Sequence, residues 1–423
     1  METIVKNDQR CIWHPFTQMK TAQPPVLIRS AQGAYLYGEK GERYIDGIAS
    51  WWVNLHGHTH PYIVERIAAQ SRELEHVIFA DFTHAPAVDL ASRLLSLLPG
   101  EMSRIFYSDN GSTAVEAALK MAIQYWHNQK IKKTKVVTFE GGYHGDTFGA
   151  MSAAGKSLFN QPFWNYLFEV ELIPPPTQGN EERCNRRLEE ILKGGEVACF
   201  LFEPLVLGVG GMRVYSAEAL NRLMELCHAY HVLTIADEVM TGFGRTGSLF
   251  ACHQVSEKPD ILCLSKGITG GFLPLGVTAC QEKVYQAFFS EDKQKAFLHG
   301  HSYTGNPIAC ASALASLDLL LSSDSAIQRK RIEKAQQAFC KRLKVHSKLK
   351  RCESLGTLLV LEYVSDHSSY FSSLRDQLYS FFLERGILLR PLGNVLYVLP
   401  PYCLSEEDLQ TIYDAITLTL ESF

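Results

Sequence analysis

The 423-residue sequence lacks the features of membrane, secreted and nucleic-acid-binding proteins. Its opening residues, METIVKNDQR, contain no apolar run of the kind found in signal peptides. No stretch approaches the roughly 20 apolar residues of a membrane span. The formal net charge is only -4, so we expect neither a basic surface for nucleic acid nor attraction to an anionic membrane.

Cysteine pairs at the spacing of metal or redox motifs are also missing. The 11 cysteines stand singly between Cys11 and Cys403, and none forms a C-x-x-C pair, which disfavours a zinc ribbon. An odd cysteine count without a secretion signal predicts reduced thiols and a cytoplasmic location. The histidine-rich stretches 56–60 and 299–301 have no carboxylate or cysteine at ligand spacing, so we expect no metal site.

A series of short apolar runs occupies the middle of the chain, and helical patterns stand between several of them. Continuous apolar runs separated by helices are typical of buried parallel strands in an α/β sheet. The predicted strands are 104–107, 135–139, 197–202, 232–236, 261–264 and 275–279. The predicted helices are 113–128, 181–192 and 217–231. This pattern predicts one large, doubly wound domain over residues 61–310.

The two ends of the chain have a different pattern. Residues 26–48 alternate in polarity around Gly38 and Gly41, which predicts a small antiparallel hairpin. A helical pattern runs from residue 306 to 346 with a break near 322–325. It is followed by a predicted strand at 356–363, a helix around 370–385 and a strand at 394–399. We predict a small α+β domain over 311–423, to which the N-terminal segment 1–60 contributes.

Candidate functional residues follow the predicted strands, because ligands of open α/β sheets bind outside the carboxyl ends of the strands. Gly111, Ser112 and Thr113 stand at the start of a helix, where backbone N–H groups and hydroxyls suit a phosphate. An ordinary helix cap, with Glu116 completing a capping box, is the more common explanation of such a pattern. Tyr143, preceded by two glycines, is either a ring that stacks on a flat ligand or a half-buried turn residue.

Two charged residues end successive strands. Asp237 needs a cationic partner, which is either a protonated pyridine nitrogen or Arg245. Lys266 directly follows a buried strand, where desolvation lowers the pKa of an amine and enables it to form imines. The alternative is that its side chain extends to solvent. A lysine, a carboxylate, a stacking ring and a phosphate cradle are together what pyridoxal phosphate requires.

The stretch IADEVMTGFGRTG (235–247), followed by DILCLSKGITGG (260–271), resembles the signature of class III aminotransferases of PLP fold type I. The resemblance covers nearly the whole chain. It implies an α/β fold in which a large domain with a mainly parallel, doubly wound sheet is joined to a smaller α+β domain. It also implies a homodimer with shared active sites, in which Ser302 completes the phosphate site of the partner.

The same resemblance implies pyridoxal 5'-phosphate as the cofactor. Lys266 would attach it covalently and move protons, and Asp237 would bind the pyridine nitrogen. Tyr143 would stack on the ring. The phosphate would be held by Gly111, Ser112 and Thr113.

Within the class, four segments resemble the biotin-pathway members: CIWHPFTQMK (11–20), IDGIASWWVNLHGHTHP (45–61), FEGGYHGDTFGAMS (139–152) and LLRPLGNVLYVLPPY (388–402). This resemblance implies that a small-molecule donor passes its amino group to a keto acceptor with a long apolar chain. An arginine suits the planar carboxylate of such an acceptor. The residues that it assigns to the substrate are Phe16, Trp51, Trp52, Tyr143, Lys266, Gly300, Arg390 and Tyr397.

Three departures from the class pattern bear on the substrates. Met240 stands where many class III members have glutamine, which disfavours ornithine-type and GABA-type enzymes. Phe16 replaces a tyrosine, and His301-Ser302 replaces a Pro-Thr pair of some members. The hydroxyl lost through these last replacements weakens S-adenosylmethionine as the expected donor and leaves lysine as an alternative. A general ω-amino acid aminotransferase and a non-catalytic ligand-binding relative are the other hypotheses.

Overall fold

A seven-stranded sheet forms the centre of the protein. The computed structural model describes residues 2–365 and 372–422. Its strands are β1 Ile28–Gln32, β2 Tyr35–Gly38, β3 Arg43–Asp46, β4 Met102–Ser108, β5 Lys135–Phe139, β6 Glu171–Ile173, β7 Val197–Phe202, β8 Val206–Leu207, β9 Arg213–Val214, β10 Leu233–Asp237, β11 Ile261–Leu264, β12 Gly276–Gln281, β13 Leu349–Leu355, β14 Leu358–Tyr363, β15 Ile387–Leu388 and β16 Val395–Val398.

Helices cover the sheet and also occur in both ends of the chain. They are α1 Glu2–Cys11, the single turn α2 Ala49–Trp52, α3 Pro61–Glu73, α4 Ala85–Leu97, α5 Gly111–Asn128, α6 Phe148–Ala153, α7 Glu181–Leu192, α8 Ala217–Ala229, α9 Glu282–Gln286, α10 Pro307–Leu320, α11 Ser323–Leu343, α12 Ser373–Glu384 and α13 Glu406–Ser422.

The order of strands in the central sheet is β4-β12-β11-β10-β7-β5-β6. All neighbouring pairs are parallel except those of β12, which runs antiparallel to both β11 and β4. The predicted α/β fold with a mainly parallel sheet is therefore confirmed. The prediction that 275–279 is a parallel strand was wrong, because the connection 265–275 between β11 and β12 contains only one short 3-10 turn and not the helix that usually forms a parallel crossover.

Alternate residues of the central strands pack on opposite faces of the sheet, as the two-residue period of a strand requires. Val137 and Phe200 contact the core on the face of the sheet that α7 and α8 cover. Val136 and Leu201 contact the core on the opposite face, which α5 covers. Every residue of β7 is buried, which explains its continuous apolar sequence.

The N-terminal strands join the C-terminal part of the chain. β1, β2 and β3 form an antiparallel meander, and β15 pairs with β3 in parallel. The predicted helical break near 322–325 is confirmed, since α10 ends at Leu320 and α11 begins at Ser323. Residues 370 and 371 of the predicted helix 370–385 lie outside the described residues. The division into domains at residues 60 and 310 stays a prediction.

No single helix of the described ranges is long and apolar enough to cross a membrane. The bent pair Pro307–Leu320 and Ser323–Leu343 passes that test only when the two helices are taken together, and they meet at 69°. α10 is buried along most of its length and packs against α3 and α4.

The turn between β13 and β14 contacts the loop that follows β10. Thr357 donates its N–H to the carbonyl of Arg245 at 2.9 Å. Gly356 has φ +54°, and a Cβ at this position would overlap the backbone of Thr246 and Gly247. Only glycine allows the two backbones to approach this closely.

We predict that Gly356→Ala lowers the free energy of unfolding by about 3 kcal/mol or more, because it adds a backbone overlap to the left-handed strain. Gly33→Ala is the matched control, since Gly33 has φ +57° and open space around its Cβ position. The control should lose only about 1–2 kcal/mol. Urea unfolding of both variants measures the difference, and equal losses would contradict the assigned contact.

Candidate functional site

A cavity of about 480 Å³ opens at the carboxyl edge of the central sheet. Segments that follow β4, β5, β7, β10 and β11 line it, as expected for a ligand site in an α/β sheet. This volume lies within the usual range for small-molecule sites. The sequence-predicted residues that line the cavity are Trp52, Gly111, Ser112, Tyr143, Asp237 and Lys266.

Lys266 begins a short 3-10 turn, Lys266–Thr269, immediately after β11. Its φ is +46°, a left-handed conformation that a lysine rarely adopts and that places strain at the cavity. The side chain is half-buried because it lines the cavity. Desolvation lowers the pKa of the amine from 10.5 to about 8, while the negative charges of Asp237 and Glu203 oppose that change.

Glycines bring the lysine segment close to the N-terminal segment. A Cβ on Gly267 would lie 3.1 Å from the side chain of Leu55, and one on Gly271 would lie 3.0 Å from the Cα of Asn54. Trp52 is buried, and its ring lies 4.4 Å from the Lys266 amine. The indole N–H of Trp52 has no hydrogen-bond partner among the described residues, so a polar atom of a ligand would satisfy it.

Asp237 ends β10 and is buried at the cavity wall. Its Oδ2 lies 2.8 Å from His144 Nδ1, and its Oδ1 accepts the Val239 N–H at 3.1 Å. The other ring nitrogen of His144 lies 3.3 Å from the Thr138 hydroxyl. The histidine thus fixes the orientation of the carboxylate. Sequence reasoning did not identify His144, although it stands next to Tyr143 in the same motif.

Glu203 is a second buried carboxyl group at the cavity, and it was also not identified from sequence. It accepts the N–H groups of Tyr143 and Gly208 at 3.0 and 2.8 Å. Burial raises its pKa from 4.5 to about 7, with His144 opposing and Asp237 adding to that change. Glu203 directly follows β7, so the strand-end rule that identified Asp237 applies to it equally.

The start of α5 corrects the capping interpretation of residues 111–116. The N-cap is Asn110, which forms a reciprocal capping box with Thr113. Glu116 takes no part in that box and instead accepts hydrogen bonds from Thr147, Gly149 and Ala150. The alternative prediction, a serine or threonine N-cap, was wrong because Asn110, one residue before Gly111, occupies the N-cap position. Asparagine is among the most favourable residues there.

Ser112 lies at the cavity edge and takes no part in the capping box, and its Oγ accepts the Asp146 N–H at 3.3 Å. A Cβ on Gly145 would lie 2.9 Å from the Cα of Ser112, so the loop after β5 closes tightly over the start of α5. The N–H groups of Gly111 and Ser112 lie at the positive end of an 18-residue helix, a position that favours an anion. The N–H and hydroxyl of Thr113 are engaged with Asn110 and Asp109.

Tyr143 lines the cavity between these groups. Its hydroxyl donates to Asp146 at 3.0 Å, and its backbone N–H is held by Glu203. Burial, followed by the charge of Asp146, raises the pKa of the phenol. The tyrosine therefore stays neutral and keeps a fixed ring position.

Arg245 does not pair with Asp237, so that alternative was wrong. The guanidinium is buried and donates to the carbonyls of Pro400, Trp52 and Asn54 at 2.7, 3.3 and 3.2 Å. It also lies 5.1 Å from the Tyr402 ring. Arg245 joins the N-terminal turn to the C-terminal strand region, which a count of charges along the sequence cannot reveal.

The two tryptophans lie on the turn α2, whose residues Ala49–Trp52 all have positive φ. This left-handed conformation costs about 1–2 kcal/mol per residue. Trp51 is 38% exposed and contacts Phe16 at 5.5 Å, while the Arg390 guanidinium lies 5.0 Å from its ring. Tyr397 is buried and packs edge-on against Trp52 at 5.9 Å.

Gly300 and Ser302 do not line this cavity. They lie on the loop before α10, where the Ser302 carbonyl is 2.5 Å from His76 Nε2. The nearby Leu298 and Tyr303 are 82% and 67% exposed. No group of three or more histidine, cysteine or acidic residues comes together as a metal site anywhere in residues 2–365 or 372–422.

Comparisons with known proteins agree with this geometry. Residues 16–420 match the family model described as aminotransferase class-III. The chain is 48% identical over 418 residues to the adenosylmethionine-8-amino-7-oxononanoate aminotransferase of Synechococcus elongatus, with 97% of this chain and 98% of that protein covered.

Two solved structures are similar over nearly their whole length. One is the adenosylmethionine-8-amino-7-oxononanoate aminotransferase of Methanocaldococcus jannaschii, with a TM-score of 0.94, 33% identity and coverage of 100% of this chain and 99% of that one. The other is an amine transaminase from an uncultivated Pseudomonas species in its PLP-bound form, with a TM-score of 0.89, 31% identity and coverage of 97% and 98%.

We predict that the rate of Lys266 acylation reaches half of its maximum near pH 8, because the amine loses its proton there instead of near pH 10.5. Asp237→Asn should move the half-point to lower pH, since the negative charge of Asp237 favours the protonated amine. Mass spectrometry of cofactor-free protein acylated over a pH series measures the labelling of Lys266, with exposed lysines as the internal reference. A half-point equal to that of the exposed lysines would contradict the desolvation.

Proposed function

Because the chain belongs to the class III aminotransferases, we propose that it transfers an amino group to the ketone of 8-amino-7-oxononanoate and so forms 7,8-diaminononanoate in biotin biosynthesis. The observation that carries this proposal is the series of contacts that leads from Lys266 to Trp52, and from the adjacent Trp51 to Arg390. It offers an amine, an apolar strip and a terminal cation in the order that a long acyl chain with a ketone and a carboxylate requires. The names of the relatives support the same acceptor.

Pyridoxal phosphate is the cofactor that the family implies, and the cavity residues fit it. The anion-binding start of α5, the half-buried Tyr143 ring, the buried Asp237 and the desolvated Lys266 amine all line one cavity. When bound, this cofactor supplies an aldehyde that takes up amino groups and a pyridine ring that spreads negative charge.

Each of these residues has one proposed task. Gly111 and Ser112 bind the phosphate, and Thr113 fixes the start of the helix that presents them. Tyr143 packs on the ring. Asp237, oriented by His144, keeps the pyridine nitrogen protonated. The Lys266 Nζ would hold the cofactor covalently, and as a free amine it would move a proton at the substrate carbon.

S-adenosylmethionine is the proposed amino donor, in keeping with the names of the relatives. Phe16 packs on Trp51 and presents no hydroxyl to the site, so lysine remains the alternative donor. Met240 lines the cavity with an apolar thioether where a glutamine would offer an amide, which disfavours a general ω-amino acid aminotransferase.

We further propose a homodimer with shared sites. Gly300 and Ser302 lie outside the cavity of their own chain, on a loop whose neighbours Leu298 and Tyr303 are largely exposed. A second copy that covers these apolar side chains would bring Gly300 to the substrate and Ser302 to the phosphate of the other site.

We predict that Arg390→Ala raises the KM for 8-amino-7-oxononanoate by about 10- to 100-fold, because a charge-assisted hydrogen bond to the carboxylate is lost. Arg385→Ala is the matched control, since Arg385 is an exposed cation on the Phe381 ring. Lys266→Ala should abolish multiple turnover. Steady-state assays with purified holoenzyme measure all three variants.

Growth of a biotin-auxotrophic strain that lacks this aminotransferase provides the test in cells. The wild-type chain should restore growth and Lys266→Ala should not. In the purified assay, product formation with S-adenosylmethionine supports the proposed donor, and product formation with lysine alone supports the alternative. Turnover of ornithine, GABA or β-alanine without any turnover of 8-amino-7-oxononanoate would contradict the proposal.

A further inference from the structure

The turn that presents the two tryptophans needs support from outside itself. Its four residues have φ values of 49°, 46°, 74° and 73° from Ala49 to Trp52, and none of them is glycine. Such a run persists only where the surrounding structure determines it. Separate groups hold the two ends of the turn.

Arg245 holds the end of the turn nearest Lys266. Its guanidinium donates to the carbonyls of Trp52 and Asn54, and the Trp52 ring lies against the Lys266 amine. Arg245 binds this end of the turn through backbone carbonyls only, whereas the beginning of the turn presents N–H and hydroxyl donors.

Asp46 holds the beginning of the turn. The carboxylate is fully buried, and its Oδ1 accepts the N–H groups of Ile48 and Ser50 at 3.2 and 3.0 Å. Its Oδ2 accepts the Ser50 hydroxyl at 2.8 Å. A single carboxylate thus fixes three donors at the point where the backbone enters the left-handed conformation.

His58 in turn orients Asp46. His58 Nε2 lies 2.9 Å from Asp46 Oδ2, and His58 Nδ1 lies 3.1 Å from the amide nitrogen of Asn54. Because an amide nitrogen can only donate, Nδ1 accepts and Nε2 carries the proton that is donated to Asp46. The backbone of His58 is tied to Gly33 by hydrogen bonds in both directions, 2.7 and 3.1 Å long. The imidazole therefore has a fixed position.

We propose that His58 is a positioning residue, which through Asp46 holds Trp51 against Arg390 and so sets the affinity for the acceptor substrate. His58 does not line the cavity, so it acts only through the turn. The effect on the acceptor rests on the proposed function. Since Arg245 still anchors Trp52 when His58 is changed, the disturbance should reach Trp51 and spare the Lys266 end of the site.

The kinetic test compares three variants of the holoenzyme. His58→Leu removes both hydrogen bonds of the imidazole, His58→Gln retains a donor and an acceptor, and His60→Leu alters a neighbouring histidine whose Nδ1 has no partner among the described residues. We expect His58→Leu to raise the KM for 8-amino-7-oxononanoate about tenfold and to leave kcat within about threefold. His58→Gln should recover most of the affinity, and His60→Leu should match the wild type.

A spectroscopic test does not depend on the substrate. The protein has five tryptophans, so cofactor-free chains labelled with fluorotryptophan give five fluorine resonances, assigned by single Trp→Phe variants. In His58→Leu the Trp51 resonance should shift or broaden, while those of Trp126 and Trp164 stay in place. His58→Gln should restore the Trp51 resonance.

The outcomes separate this inference from the proposed function. An unchanged Trp51 resonance in His58→Leu, or a loss of kcat with unchanged KM, would overturn the positioning role. A shift of all five resonances would also overturn it, because the histidine would then stabilise the whole fold. If the wild type fails to use 8-amino-7-oxononanoate, the proposed function fails, and the fluorine spectra still decide whether His58 positions Trp51.

Discussion

A lysine amine held without its full hydration at the end of a parallel strand is the constraint on which the site depends. The cavity wall around Lys266 combines the ring of Trp52 with two carboxyl groups, Asp237 and Glu203. Burial alone would drive the amine far towards its neutral form, and the carboxylates limit that change, so the pKa is about 8. An amine poised in this way is partly neutral near physiological pH and can attack a carbonyl, as a covalently attached cofactor requires.

The remainder of the site is assembled on elements that are distant in sequence. The carboxyl ends of the β strands supply Asp237, Glu203 and the loop with Tyr143, and the start of α5 supplies the positive end of a helix, a position that favours an anion. Arg245 binds the carbonyl of Trp52 in the N-terminal turn. It also binds the carbonyl of Pro400 in the C-terminal part of the chain. One buried guanidinium thus links the loop after β10, the N-terminal turn and the segment that follows β16.

Much of the central sheet was predictable because buried parallel strands are continuous apolar runs; 197–202 and 261–264 were predicted at their observed bounds. Residues that end such strands were predictable for the same reason, and the rule that predicted Asp237 applies equally to Glu203, which directly follows β7. The direction of β12 was not predictable in this way, because it depends on the connection between β11 and β12 and not on the apolarity of the strand itself. The left-handed turn at Ala49–Trp52 could not be predicted, because its residues carry no conformational preference for it. The partners of Arg245 are carbonyls, which no sequence motif marks.

Covalent trapping of the cofactor tests the central claim most directly. Cofactor-free protein is incubated with pyridoxal phosphate, reduced with borohydride, digested and analysed by mass spectrometry. The account predicts one added pyridoxyl phosphate group per chain, located on Lys266, and no stoichiometric labelling in Lys266→Ala. A group located mainly on another lysine, or equal labelling of the Lys266→Ala variant, would contradict the assignment of Lys266 as the attachment site.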